Sequence, residues 1–262
     1  MSPILGIVSS SRLGFSPISI AGCRLWLDAA DTSSIAVSGT AVTQWNDKSG
    51  QANHFTQVSS TARPVSGTTT QNNKNVVVFD GVNDCLNTNQ TAAYWKFLHN
   101  SPSTLFFAVN KTGTQQSSSI IYNNDGSSSN IGYGVQLRYG AENNIFHWIT
   151  NGSSGNYTVF QNTAAVYTTN TFFYGSVTSD PTNGTAANRS EIRFKAGAAV
   201  KNNAGTTAAS SSNPSFALQV GADGDNGQFM QGNIGEIIVY DTALNATDRG
   251  KIETYLATKW GV

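Results

Sequence analysis

The stretch that decides the fold is GEIIVYD at residues 235–241, followed by TALNATDRGKIETYLATKWG at residues 242–261. In the first part the side chains alternate along an extended chain. Ile237 and Val239 fall on one face, and Ile238 and Tyr240 fall on the other. This period of two predicts a β-strand in a sheet with one well-buried face.

The second part predicts a helix that closes the chain. Asn245 can cap its start, and Asp248 at the third helical position answers the exposed amides of the first turn. Gly261 ends the element. Apolar side chains recur at helical spacing and should pack on the sheet, namely Ile252, Tyr255, Leu256 and Trp260.

Three further blocks precede this one: LWLDAAD at 25–31, QWNDKSGQANH at 44–54 and VVVFDGVND at 76–84. In this order, and together with residues 235–261, they resemble the concanavalin A-like, laminin-G-like lectin/glucanase superfamily from about Cys23 to Val262. Four ordered blocks are more specific than any of them alone. The resemblance implies two antiparallel sheets packed face to face.

The composition favours the same class independently. The chain has 262 residues with 25 Gly and only 11% charged residues, and short strand-like runs alternate with clusters of Gly, Asn, Ser and Thr. A chain of this length can bury a core within one β domain. We therefore predict an all-β, two-sheet antiparallel jelly-roll sandwich over residues 18–262, with one short C-terminal helix.

Residues 1–17 stand apart from this domain as an apolar arm. The arm lacks a charged leading region, and its apolar run at residues 4–8 is too short for a secretory signal, so none is predicted. A disordered terminus is the simplest interpretation. However, several side chains are too apolar for a solvated tail and predict an attachment element, namely Ile4, Leu5, Ile7, Val8 and Phe15. The opening residues also resemble the start of structural proteins of tailed bacteriophages.

Charge and hydropathy exclude two classes of partner. Net charge is zero, from 15 basic and 15 acidic residues, so a phosphate-neutralising surface for nucleic acid is not expected. No apolar stretch approaches the ~20 residues that span a membrane. Cys23 and Cys85 match no metal-site spacing. A disulfide and two buried thiols both fit them, and the thiols are the simpler interpretation.

Catalysis is the next question, because the superfamily contains glycoside hydrolases, which need two carboxylates flanking the scissile bond. The glutamates stand singly in the sequence, at Glu142, Glu191, Glu236 and Glu253. The closest acidic pairs, at 28/31, 80/84 and 223/225, have the spacing of turns. No G-x-S-x-G elbow is present, and the three histidines lie in dissimilar contexts. We therefore predict that the protein is not an enzyme.

One loop has the chemistry of a calcium site. Residues 223–227 read DGDNG, and the oxygen ligands that calcium prefers would come from Asp223, Asp225 and Asn226. The same residues also build ordinary tight turns. No other cofactor is expected.

Carbohydrate binding is the alternative to catalysis within the superfamily. Sugar sites combine aromatic faces with amides that meet hydroxyl groups. The middle of the chain interleaves both, and the candidate residues are Tyr122, Asn124, Tyr133, Tyr139, Trp148 and Tyr157. Aromatic residues and Asn are also what strands and turns are made of, so the pattern leaves an ordinary sandwich surface open.

Together these observations predict a non-enzymatic bacteriophage virion surface protein, a capsid decoration, knob or tail adhesin with its lectin-like domain displayed outward. Its expected partners are other virion proteins, through the arm, and a host cell-surface glycan. It could also form a homo-oligomer. A stand-alone bacterial carbohydrate-binding module is the alternative, and a glycoside hydrolase comes third.

Overall fold

The computed structural model describes residues 14–113, 118–124, 132–140, 142–152, 155–223 and 228–262. The fold is all-β apart from short helical elements. The longest helix, α2, spans Ala246–Trp260, and a single turn, α1, spans Phe97–Asn100. No helix in the described part of the chain is both long and apolar enough to cross a membrane.

Sixteen strands make up the described sheet. Their bounds are β1 Cys23–Asp28, β2 Ile35–Ser38, β3 Ala41–Trp45, β4 Phe55–Thr56, β5 Val65–Gln71, β6 Lys74–Asp80, β7 Leu86–Thr88, β8 Ser103–Lys111, β9 Ser118–Tyr122, β10 Tyr133–Tyr139, β11 Ile145–Asn151, β12 Tyr157–Asn162, β13 Phe173–Ser179, β14 Ser190–Phe194, β15 Gln219–Val220 and β16 Gln231–Tyr240.

All of these strands belong to one hydrogen-bonded sheet. Its order is β12-β11-β10-β9-β15-β7-β4-β3-β5-β6-β16-β8-β13-β14, with β1 on β16 and β2 on β3. The all-β prediction with a C-terminal helix is confirmed. The prediction of two separate sheets is not, because short strands such as β15, β7 and β4 carry the hydrogen bonding from one half to the other. The jelly-roll topology stays a prediction.

The two ends of this strand order approach each other, so the sheet is barrel-like and nearly closed. Val200 pairs with Ile192 of β14 and accepts a hydrogen bond from the side chain of Gln161 of β12, at 2.5 Å. Further along the same segment, the Ala204 amide donates to the Phe160 carbonyl at 3.0 Å. Residues 200–204 therefore bridge the two edges and cover hydrogen-bonding groups that would otherwise be exposed.

The core follows the strand alternation. On β8, Leu105, Phe107 and Val109 point into the barrel, while Phe106 and Ala108 point out toward α2. β16 shows the same alternation, with Ile237 and Val239 inside the barrel and Ile238 outside it. Its outer face is buried as well, because α2 covers it.

Helix α2 has the caps that the sequence predicts. The Asn245 side chain accepts from the Asp248 amide at 3.0 Å, and Gly261 closes the helix in the left-handed conformation, with φ of 69°. The predicted apolar face is confirmed, since Ile252, Leu256 and Trp260 are fully buried.

Part of the predicted arm packs on the domain. Pro17 is buried, and its carbonyl accepts from the Tyr240 hydroxyl at 2.9 Å. The Phe15 ring lies 5.7 Å from the Tyr255 ring of α2. Both cysteines are free, with Cys23 buried and Cys85 partly buried.

Two histidines are buried and hydrogen-bonded to uncharged groups. His147 Nδ1 lies 2.8 Å from Ser190 Oγ, and burial lowers the pKa of His147 to about 3. His99 Nε2 lies 3.0 Å from the Ser212 carbonyl, and burial lowers the pKa of His99 to about 4. Asp84 shifts the other way, since burial raises its pKa to about 6.

These histidines should make the protein less stable in mild acid. Between pH 6.5 and the folded pKa, the unfolded chain binds the proton and the folded chain does not. Stability therefore falls as pH falls, by roughly 1 kcal/mol per pH unit for each histidine. Asp84 has the opposite effect on the pH dependence of stability, because in mild acid its folded form holds one proton that the unfolded form has lost.

The measurement is urea unfolding at about pH 7 and about pH 5, for the wild type and His147→Gln. Between the two pH values, the free energy of unfolding should fall less for the variant than for the wild type. The difference should equal the contribution of one proton, roughly 1 kcal/mol per pH unit. An identical pH dependence in both proteins would show that His147 is not held neutral.

Candidate functional site

Residues from three of the quoted sequence blocks converge on one buried charge network. Asp28 of β1 lies directly opposite Glu236 of β16. Lys259 of α2 bridges them, with its Nζ 2.5 Å from Asp28 Oδ1 and 2.8 Å from Glu236 Oε2. Lys48 adds a second cation 2.8 Å from Asp28 Oδ2. The premise that Glu236 stands alone is therefore wrong.

Glu236 is the centre of this network. Its carboxylate accepts from the indole N–H groups of Trp26 and Trp260, at 2.6 and 2.9 Å, and from the Tyr255 hydroxyl at 2.7 Å. Burial raises the pKa of Glu236, and the charge of Lys259 opposes the rise. Because Glu236 is fully buried, a substrate cannot reach its carboxylate. The ion pair between Glu236 and Lys259 instead fastens α2 to the sheet.

A different region carries a cluster of outward-facing aromatic rings, among which Phe160 is exposed. On β10 to β12, alternate side chains such as Leu137, Ile149 and Val159 fill the core, so their neighbours point outward. These outward side chains form a cluster that we call the aromatic face, which consists of Arg138, Phe146, Trp148, Tyr157 and Phe160.

Cross-strand pairing builds the aromatic face. Trp148 lies opposite Phe160, and their rings stack at 5.4 Å with 18° between planes. The Arg138 guanidinium lies 4.0 Å from the centre of the Trp148 ring. Tyr157 closes one side, 4.8 Å from Phe160. Phe160 is 36% exposed, whereas Trp148 is only 8% exposed, so Phe160 offers the open ring.

Polar groups lie beside these rings. Arg138 Nη1 donates to Gln228 Oε1 at 3.2 Å, and Gln136 Nε2 donates to the same oxygen at 3.2 Å. Burial lowers the pKa of Arg138 to about 10, with the charge of Asp223 opposing the shift. Within the described residues, Trp148 Nε1 and Thr150 Oγ1 are buried without a hydrogen-bond partner. Arg138 and Gln228 are partly exposed, so the region combines apolar rings with polar side chains that solvent can reach.

The predicted sugar-binding residues do not all lie in one place, and some of them are buried. Trp148 and Tyr157 belong to the aromatic face. Tyr122 and Tyr139 do not, because both are fully buried. Tyr139 packs in the core, 5.2 Å from the Tyr167 ring. Neither ring has a surface for a sugar, so these two predictions are wrong.

The remaining two candidates lie apart from the rings. Asn124 is fully buried, and neither polar atom of its side chain has a partner in the described part of the chain. Tyr133 is partly buried, with its ring packed closely against Gly152. Sequence reasoning missed Phe146, Phe160 and Arg138. The alternation of Phe146 with Trp148 along β11 is the signal that could have found the outward row.

The calcium prediction stays untested. The described residue, Asp223, is fully buried, and its Oδ1 accepts from the Gln228 amide at 3.1 Å. Asp225 and Asn226 lie outside the described residues. In the described ranges, no three His, Cys, Asp or Glu side chains are grouped so that they could hold a metal ion.

The attachment prediction is also untested. Four of its residues lie outside the described residues, namely Ile4, Leu5, Ile7 and Val8. The fifth, Phe15, is 37% exposed beside α2. The virion location, the arm's partners and a homo-oligomer therefore stay predictions from the sequence.

The fold defines a class before any relative is considered, a nearly closed all-β domain with an outward aromatic face. No protein-family model matches the sequence, and no curated protein matches it either. Solved structures do match. A Trypanosoma rangeli sialidase in complex with sialic acid aligns with a TM-score of 0.59 at 12% identity, over 92% of this chain and 33% of that one.

Two further structures show the same likeness. The binding domain of botulinum neurotoxin DC in complex with rat synaptotagmin II aligns with a TM-score of 0.53 at 11% identity, over 92% of this chain and 52% of that one. A mutant of HCR/D aligns with a TM-score of 0.57 at 13% identity, over 89% of this chain and 51% of that one. The chain thus spans about a third of the sialidase chain and about half of each of the other two chains. At this identity the similarity concerns the fold.

The similarity contradicts the prediction that the protein is not an enzyme, because an enzyme, a sialidase, is among the proteins that share this fold. One premise of that prediction fails in the structure as well, since Glu236 does not stand alone: it lies opposite Asp28 across the strand pair, and both carboxylates bind Lys259. Membership in the concanavalin A-like superfamily stays a prediction.

Proposed function

We propose that the protein binds a saccharide on the aromatic face. The observation that carries the proposal is the open Phe160 ring, stacked on Trp148 and flanked by Tyr157. The apolar C–H face of a pyranose packs on such rings. Beside them, Arg138 and Gln228 supply the polar groups that sugar hydroxyls need.

Rigidity supports the same proposal. The aromatic rings sit on paired strands rather than on a loop, and Phe160 is held between Trp148 and Tyr157. A preformed surface loses little conformational entropy on binding. The likeness in fold to a sialidase solved with sialic acid is a further support for carbohydrate as the class of ligand.

Phe160→Ala should therefore weaken glycan binding about tenfold, which corresponds to about 1.4 kcal/mol. Purified full-length protein is applied to a glycan array, and the apparent Kd is measured for each glycan that binds. Because Phe160 lies on the outer surface and belongs to neither core cluster, the variant should keep the wild-type melting temperature to within a few degrees.

Phe15→Ala is the matched control. Phe15 is the same residue type with nearly the same exposure, 37% against 36%, but it lies against α2. It should bind glycans like the wild type. Equal binding by Phe160→Ala and the wild type, or no glycan bound by the wild type, would overturn the proposal.

A further inference from the structure

A second candidate site is formed by residues outside the aromatic face. It is a cavity of about 200 Å³, lined by Arg24, Tyr94, Phe97 and Asp241. Arg24 comes from β1 and Asp241 directly follows β16. Tyr94 lies in the segment that leads into α1, and Phe97 is the first residue of α1. Pockets for drug-sized ligands measure about 300–1,000 Å³, so this one suits a single ring-sized group.

One wall of the cavity is an ion pair without net charge. Arg24 Nε and Nη2 both lie 2.5 Å from Asp241 Oδ2, which leaves Nη1 outside the pair. The Arg24 side chain is 40% exposed and that of Asp241 is 22% exposed, so both can meet a ligand. Together they offer N–H donors and carboxylate oxygens within one wall.

The aromatic wall is held in place from behind. The Tyr94 ring meets the fully buried Trp95 edge to face at 5.0 Å, and the Tyr94 hydroxyl accepts from Asn53 Nδ2 at 2.8 Å. The Phe97 ring lies 6.0 Å from the Trp95 ring. The wall is therefore preorganised, and both of its rings remain partly exposed.

We infer that this cavity binds one uncharged sugar ring. The aromatic wall suits the C–H face of a pyranose, and the ion pair provides both the donors and the acceptors that hydroxyl groups require. A charged ligand fits less well, because Asp241 already compensates the Arg24 charge, and a like charge would meet repulsion from one partner of the pair. The site shares its ligand class with the proposed function but consists of different residues.

The test is an NMR titration of the full chain with methyl glycosides of glucose, galactose and mannose, and with the anionic sugar N-acetylneuraminic acid. At least one neutral glycoside should shift the Arg24 Nε–H and Asp241 amide signals to saturation, and more strongly than the anionic sugar does. Phe97→Ala should weaken this response at least tenfold, and Phe160→Ala should leave it unchanged. Phe97→Leu serves as the second variant if Phe97→Ala does not fold, since it keeps apolar bulk but removes the ring.

The inference is overturned if no neutral glycoside shifts these signals, if the shifts survive loss of the Phe97 ring, or if the anionic sugar gives the larger response. The aromatic face reports separately through the Trp148 indole signal. A response there with none at Arg24 supports the proposed function and rejects this site, and the reverse pattern rejects the aromatic face alone.

Discussion

Replacing Glu236 with alanine is expected to lower the free energy of unfolding by about 3–5 kcal/mol, the range found when one partner of a buried ion pair is removed. The carboxylate is fully buried and accepts hydrogen bonds from two indoles and a tyrosine hydroxyl. Its removal leaves these donors without a partner and takes one of two counter-charges from Lys259. Each unpaired buried donor adds its own desolvation cost.

The measurement is urea unfolding followed by tryptophan fluorescence, with Glu142→Ala as the control. Glu142 is exposed, so its removal should change stability by no more than about 0.5 kcal/mol. If both variants unfold at the same urea concentration, the network does not hold α2 to the sheet.

Trp260→Ala should be of similar size, about 3–5 kcal/mol, as for other large aromatic side chains in a core. The ring is fully buried and stacks on Phe172 at 5.3 Å. Gly235 lies beneath it, where a Cβ atom would come within 2.8 Å of the indole, so the glycine makes room for the ring. The substitution therefore leaves a cavity between helix and sheet.

Trp260→Phe separates packing from hydrogen bonding. It keeps a ring against Phe172 but loses the N–H that donates to Glu236, so a smaller loss of about 1–2 kcal/mol is expected. Thermal and urea unfolding of both variants give the comparison. A loss below about 1 kcal/mol for Trp260→Ala would mean that the ring is not a core residue.

The stability effects of substituting Glu236 and Trp260 should also be coupled. Because Trp260 donates to Glu236, the second substitution should cost less in a chain that already lacks the first. Strict additivity in the double variant would argue against the hydrogen bond.

The sequence alone determined what depends on near neighbours along the chain. Alternation sorted Ile237 from Ile238, and the side chain of Asn245 and the backbone freedom of Gly261 fixed the ends of α2. These are local properties, since a strand turns its side chains every two residues and a helix end needs a nearby cap. The all-β class followed from the same periodicity.

Some of the site could have been predicted and some could not. Tyr139 lies two residues after Leu137 on the same strand and so faces the same side of the sheet. Its position in the core could therefore have been predicted from the alternation. Arg138 and Phe146 needed the register of β10 against β11, which no local pattern supplies. The open ring of Phe160 depended on which loops cover the sheet and which do not.

Only the tertiary structure brought Asp28 beside Glu236 and placed Lys259 between them. It also joined the strands into one nearly closed sheet, because short strands and the segment at 200–204 supply pairings that no single stretch specifies. Such contacts join residues far apart along the chain, and their energies depend on burial and partners that exist only after folding. Glu236, which has no acidic neighbour in the sequence, is therefore part of a buried ion pair with Lys259 in the folded protein.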